Sequence, residues 1–305
     1  MAPIWQTDYT KTFHHQSYPA ISPKRPELSA AGKTVFISGG GRGLGTGIVQ
    51  AFAEAGASHI IITGRNIAAL EATASRIHAA HPSTTLTPLA GDVSREEDVA
   101  RVFAAAKQAA PAGIDVLVAN SGHLPTVAPV PPASADASTA QADGAVTADW
   151  WRGFEVNVKG VYLLARHFLA AAARPGAVFL NVSAAACHLN PALPGFSAYA
   201  ASKIGAARLV ETLQVENPGL RFNNIQPGVV RTDMLTKSGL EDLPIEMPVD
   251  DLELPGHFLV WLASPEGDFL KGKYLWSNWD VDELKARQDE ILAANKLATG
   301  LVGWA

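Results

Sequence analysis

The chain has 305 residues, 48% of them hydrophobic, a formal charge of −5 and a single cysteine. That length and apolar content allow one large buried core, and the mixed, slightly acidic charge lacks the basic stripe that neutralises a phosphate backbone, so no nucleic-acid partner is expected. Cys187 cannot close an intramolecular disulfide, the first residues (MAPIWQTDYTKTFHHQ) lack the charged and apolar stretches of a secretory leader, and the run GVYLLARHFLAAAARPG is broken by Arg166 and His167; a cytoplasmic protein without a membrane span is expected.

Residues 1–32 are polar and punctuated by proline, with no sustained period, and read as an arm lying on a surface or on a neighbour. From Lys33 onward, β-rich runs (TVFIS, HIIIT, DVLVAN, AVFLNVS, RFNNIQ) alternate with helical patterns such as GIVQAFAEAGA and EEDVARVFAAAKQAA. Such alternation implies right-handed crossovers and an α/β fold, a parallel sheet covered on both faces. Residues 125–148, rich in Pro, Ala, Ser and Thr, read as a long surface loop, and DVDELKARQDEILAANKLA after Trp279 as an amphipathic helix. The expected division is an N-terminal arm (1–32), one α/β domain (33–279) and a C-terminal helical appendage (280–305).

SGGGRGLG at 38–45 follows the first strand directly and opens the first helix. Glycine at 39, 43 and 45 lets the backbone turn sharply and approach a pyrophosphate at a helix N-terminus. The second strand ends in HIIITGRN, where an NAD site places an acid on the ribose 2′-hydroxyl; Gly64 stands there, followed by Arg65. With Arg42 in the glycine loop, two guanidinium groups suit a 2′-phosphate, so NADP(H) is the expected cofactor. In AGDVS (90–94), Asp92 either meets the adenine edge or caps the following helix.

Tyr199 and Lys203 in YAASK, four residues apart, share one helix face. A tyrosine acting as base near neutrality needs a downward shift of about 3 pKa units, or about 4 kcal/mol, and one ammonium about 4 Å away at an effective dielectric near 20 contributes on that order. Lys203 alone is therefore expected to suffice.

Five motifs occur in order: SGGGRGLG, ANSG at 119–122, NVKG at 157–160, YAASK at 199–203 and QPGVVRT at 226–232. Together they resemble the short-chain dehydrogenase/reductase family, the subgroup with a Tyr-x-x-x-Lys signature, over residues 33 to about 276. The resemblance implies a Rossmann-type doubly wound sheet of seven parallel strands, making 33–279 a dinucleotide-binding catalytic domain, with Tyr199 as acid/base, Lys203 holding the nicotinamide ribose and Asn157 supporting a water-linked proton relay. It also puts Asn120 and Gly122 beside the adenosine ribose and Val230 and Thr232 on the carboxamide; Leu44, Val93 and Pro227 complete the expected cofactor set. Homodimers or homotetramers are implied as well, through the helices that carry Asn157 and Tyr199.

The stretch NVSAAACH departs from the family pattern of two serines at the strand end. The second, which polarises the substrate carbonyl, is replaced by Ala184; the first remains as Ser183. Adjacent strand residues point to opposite faces, so Ser183 substitutes only if the backbone shifts. The loop before Tyr199 is long enough for such a shift, which makes Ser183 a candidate catalytic donor and brings Cys187, His188 or Ser197 into question; a hydroxyl bonded near the strand end is the other reading. Phe196, Trp150, Trp151 and the lid-like segment 234–248 point to a fairly apolar small-molecule substrate. Two functions follow: an NADPH-dependent carbonyl or imine reductase, or a non-redox protein that keeps the fold for binding, cyclisation or isomerisation.

Overall fold

The computed structural model describes residues 9–133, 140–173, 175–242 and 248–300. Seven parallel strands form one sheet in the order β3-β2-β1-β4-β5-β6-β7: β1 Thr34–Ser38, β2 His59–Gly64, β3 Thr85–Ala90, β4 Val116–Ala119, β5 Val178–Val182, β6 Arg221–Gln226 and β7 Tyr274–Trp276. Ten α-helices connect and cover it among the described residues: α1 Leu44–Glu54, α2 Ile67–Ala80, α3 Glu96–Ala109, α4 Ala140–Phe154, α5 Gly160–Ala171, α6 Ser197–Glu216, α7 Asp233–Ser238, α8 Glu253–Ala263, α9 Val281–Ala286 and α10 Gln288–Ala293. The expected fold class holds, since the chain winds outward from β1 to β3 and then returns to β4 on the other side.

The continuous apolar strands divide their side chains between two cores, as a sheet buried on both faces requires. Val35 and Ile37, Ile60 and Ile62, and Val116 and Val118 face the layer of α1, α2 and α8. Phe36, Ile61 and Leu117 face the opposite layer of α3, α5 and α6. Close packing of α1 on α8 depends on small residues, because a Cβ on Gly256 would lie 2.9 Å from the Gly47 carbonyl oxygen.

Two expectations need correction. The segment read as a loop through residue 148 becomes helical at Ala140, because α4 continues the helix that carries Trp150 and Phe154; residues 134–139 lie outside the described set. The single C-terminal helix is two short ones, α9 and α10, interrupted at Arg287, whose guanidinium lies 3.9 Å from the Tyr9 ring centroid. Val281, Leu284 and Ile291 from these helices join the same core as Ile21 and Leu28 from the arm. The arm, for its described part, lies on its own chain: the His14 N–H donates to the Asn278 carbonyl at 2.7 Å.

Candidate active site

The strand order reverses between β1 and β4, and the crevice beyond their carboxyl ends is where such sheets bind ligands. A cleft of about 1910 Å³ opens there, and Gly39, Arg42, Gly43, Leu44, Gly45, Arg65, Asp92, Val93, Asn120, Gly122, Ser183, Tyr199, Lys203, Pro227, Val230 and Thr232 line it. Asn157 is buried immediately behind it.

At one end, Gly39 and Gly43 take positive φ (74° and 52°). A Cβ on Gly45 would lie 1.9 Å from the Gly39 carbonyl oxygen, so no other residue fits. The Asn120 side-chain amide donates to the carbonyls of Ser38 (3.0 Å) and Gly39 (3.2 Å), while Ser38 Oγ accepts the N–H groups of Asn120 (3.1 Å) and Ser121 (3.0 Å). These bonds join the ends of β1 and β4 and fix the turn entering α1. The resulting bare backbone at a helix N-terminus fits a dinucleotide's pyrophosphate.

Arg65 is exposed at the rim, after the half-buried Gly64. Arg42 is also exposed, with Asp233 at 3.6 Å, a surface pair that leaves its guanidinium available to a phosphate. Asp92 does not cap α3, whose N-cap is Arg95. Its Oδ1 accepts from Ser94 N (2.9 Å) and Oγ (2.7 Å), and its Oδ2 accepts from Arg152 at 2.8 Å. Although burial opposes ionisation, these bonds hold the Asp92 carboxyl below the usual carboxylate range.

At the other end, Asn157 sits in a one-turn π-helical segment, Glu155–Lys159, between α4 and α5. Its Oδ1 accepts the His123 N–H, and its Nδ2 donates to the His123 carbonyl and to Ser202 Oγ, each at 2.9 Å. Ser202 Oγ in turn donates to the Tyr199 carbonyl at 2.9 Å. A Cβ on Gly122 would lie 3.5 Å from Lys203 Nζ and 3.7 Å from Asn157 Oδ1, so the structure brings these three motif residues together.

Lys203 is 5% exposed, donates to the Val182 carbonyl at 2.8 Å, and lies 5.8 Å from the Tyr199 ring centroid. Burial holds it down to about 8. The Tyr199 phenol, whose hydroxyl reaches Met234 Sδ at 3.7 Å, is pushed up by burial and then by the nearby Cys187. The downward shift expected from Lys203 is thus not what this geometry gives: burial acts first on both groups.

The backbone shift that would put Ser183 in the place of Ala184 is absent. Strand β5 keeps its register through Val182 opposite Ile225, the Ser183 N–H donates to the Ile225 carbonyl at 2.7 Å, and Ala184 stays extended at φ −160°, ψ 145°. Ser183 and Ala184 thus point to opposite faces, and Ser183 Oγ meets Cys187 Sγ at 3.7 Å. His188 packs between Tyr274 and Trp276 and accepts from Trp276 Nε1 at 3.1 Å; burial holds it down to about 4. Ser197 Oγ accepts from Trp150 at 3.0 Å. Phe196 lines the cleft, as do Met234, Leu235, Lys237, Ser238, Leu240 and Pro248 of the lid-like segment, whose residues 243–247 lie outside the described set. Trp150 and Trp151 do not line it: Trp150 stacks on Phe154, and Trp151 is exposed.

Several contributors escaped the sequence reading. Ser202 lay in plain view inside YAASK, whereas Phe13, His15, Asp250 and Trp276 carry no motif.

A doubly wound sheet with a glycine-rich turn at its switch point defines a nucleotide-binding oxidoreductase architecture. The family model described as short chain dehydrogenase matches residues 33–242, and the chain belongs to the short-chain dehydrogenase/reductase family. It is 32% identical over 296 residues to the short chain dehydrogenase/reductase AacuD of Aspergillus aculeatus, covering 96% of each chain. Among solved structures it resembles the oxidoreductase yciK from E. coli (TM-score 0.70, 21% identity, 83% of this chain and 97% of that one). It also resembles the Pseudomonas aeruginosa RhlG/NADP active-site complex (TM-score 0.68, 24% identity, 83% and 97%). The protein is thus an oxidoreductase using a nicotinamide dinucleotide on a small molecule, and among the described residues no helix is long and apolar enough to cross a membrane.

With Ala184 where the resemblance expects a serine, and Ser183 on the opposite face, a substrate carbonyl is expected to lack one donor. Ala184→Ser is expected to raise turnover of a carbonyl substrate, by up to the about 10²–10³ of one preorganised donor, and Ser183→Ala to change it less than about threefold. Steady-state rates decide this, and a hundredfold loss in Ser183→Ala would restore the displaced-serine reading.

Proposed function

We propose that the protein is an NADPH-dependent reductase of a carbonyl or imine group on a fairly apolar small molecule. The observation that carries this reading is the meeting of Lys203 and Asn157 beside Gly122, with the Tyr199 ring 5.8 Å from Lys203 Nζ, in a cleft that Arg42 and Arg65 also line. Gly39, Gly43, Leu44, Gly45, Val93, Asn120, Pro227, Val230 and Thr232 would hold the cofactor, with Lys203 on the nicotinamide ribose and Asp92 beside the adenine. Once bound, a reduced nicotinamide supplies hydride to the substrate carbon.

Tyr199 then delivers the proton to the substrate oxygen or nitrogen. Burial keeps its phenol protonated and ready to donate. As the phenolate forms, the Lys203 ammonium stabilises it, and this interaction strengthens in a dry site. Asn157, fixed by His123 and Ser202, holds a polar path toward Lys203 along which the proton can be replaced. An imine suits Ala184, since its protonated form needs less oxyanion stabilisation than a ketone. Ala184 is also the one feature favouring a second, non-redox reading, against which Tyr199, Lys203 and Asn157 stand intact.

Assembly into a homodimer or homotetramer is part of the proposal. Trp151, Tyr162 and Leu169 on α4 and α5 are 54%, 47% and 38% exposed, a cost in water that a second copy would remove. A cytoplasmic setting suits Cys187, a free thiol.

Absorbance assays of NADPH oxidation against a panel of ketones and imines test the activity. Activity on at least one class is expected, with NADPH bound at least about tenfold more tightly than NADH and the difference lost in Arg65→Ala, as expected when a charge-assisted bidentate contact is removed. Equal affinities for the two cofactors would reject the cofactor assignment. Light scattering at micromolar concentration should give two or four times the chain mass of 32.1 kDa, and a monomer would reject the assembly.

A further inference from the structure

The arm is tied down at nearly every residue between Lys11 and His15. Glu283 accepts the N–H groups of Lys11 (2.6 Å) and Thr12 (3.0 Å), and Phe13 forms an antiparallel bridge with Trp279. His14 lies 2.9 Å from Asp280 and stacks on Tyr18 at 3.6 Å. His15 Nδ1 is 2.6 Å from Asp250 Oδ1. Asp250 is 5% exposed, and its other oxygen accepts the Val229 N–H at 2.6 Å. One buried carboxylate therefore joins the arm to the loop after β6. So placed, Lys11, Phe13 and His15 line the cleft.

A chain of contacts locates Phe13 within it. The Phe13 ring meets Trp276 edge-on at 6.2 Å between centroids. Trp276 Nε1 donates to His188 at 3.1 Å, the His188 ring lies edge-on to Tyr274 at 4.8 Å, and the Tyr274 hydroxyl donates to the Ala184 carbonyl at 3.1 Å. Side-chain contacts thus connect the arm, through Trp276, His188 and Tyr274, to the strand end that carries Ala184. Phe13, Trp276, Phe196, Leu193 and Ala184–Ala186 give the cleft apolar lining, and Phe13 and Trp276, from separate elements, meet there ring to ring.

We propose that Phe13 is a specificity-determining residue and that the substrate carries an aromatic or fused-ring group lying against Phe13 and Trp276 while its reacting carbon–heteroatom bond faces Tyr199. This inference rests on the reductase reading and names its substrate class. Aromatic rings gain from edge and offset contacts beyond simple burial, and a fixed wall binds such a group without ordering a loop at the same time. The His15–Asp250 pair makes the wall fixed.

The test compares Phe13→Ala and Phe13→Leu with the parent on two ketones, one bicyclic aromatic and one short aliphatic, together with calorimetric binding of the aromatic ketone to the protein saturated with NADP⁺. In Phe13→Ala, kcat/KM for the aromatic ketone relative to the aliphatic one should fall about tenfold, with Phe13→Leu intermediate, the scale on which a pocket resolves one apolar contact. Affinity for the aromatic ketone should fall in parallel, while NADPH affinity stays within about twofold of the parent. An unchanged ratio and unchanged ketone affinity in either folded variant overturn the proposal. If no ketone or imine is turned over at all, the reductase reading fails, and the calorimetric comparison still decides whether Phe13 holds a ring. Should Phe13→Ala not fold, Phe13→Leu carries the comparison, and its equality with the parent in both readouts counts against the proposal.

Discussion

The contact of Gly45 with the Gly39 carbonyl is the constraint on which the cleft depends. With only 1.9 Å available to any Cβ, α1 starts against the end of β1 with no side chain between them. Asn120 completes the junction by donating from the end of β4 to the carbonyls of Ser38 and Gly39. The strands on either side of the switch point are thereby held at a fixed separation, and that separation is the cleft floor. Behind it, Gly256 of α8 packs on Gly47 and Ala51, so the same helix is also held along its other side. The turn is strained only where glycine relieves it, at the positive φ of Gly39 and Gly43.

The other end of the cleft balances burial against charge. Removing Tyr199 and Lys203 from water disfavours both phenolate and ammonium, and no carboxylate among the described groups offsets this. Lys203 finds a backbone acceptor in Val182, and Asn157 is locked by bonds at both of its polar atoms. A proton donor held neutral beside a lysine near neutrality suits reduction, in which the tyrosine must first give its proton away. The buried carboxylate in this region, Asp250, faces His15 and Asn278 instead and fastens the arm.

Much of this was legible in the sequence, for physical reasons that also explain the gaps. The five apolar strand runs and the glycine loop were readable because a sheet buried on both faces needs continuous apolar stretches and a close phosphate turn needs glycine. Strand β3 was hidden: Pro88 breaks its pattern, which the sheet tolerates because β3 is at the edge. Strand β7 is only three residues long, too short to show a period. The start of α4 lies in an Ala-, Ser- and Thr-rich stretch with a weak apolar face, and the π turn at Asn157 has no local signature at all. Tyr199, Lys203 and Asn157 were picked out through motif order, whereas the backbone shift that loop length suggested for Ser183 is denied by the β5–β6 register. The arm's role was invisible, since it is defined by its partners Asp250, Asp280 and Glu283, more than 230 residues away in sequence.

The account's central claim is that Tyr199 supplies the proton in a nicotinamide-dependent reduction. The most direct measurement is single-turnover reduction by Tyr199→Phe, with NADPH affinity determined on the same protein. The account predicts a loss of about 10²–10⁴ in rate, the usual contribution of a positioned acid, with cofactor affinity within about twofold of the parent. Reduction at the parent rate with cofactor bound normally would contradict it.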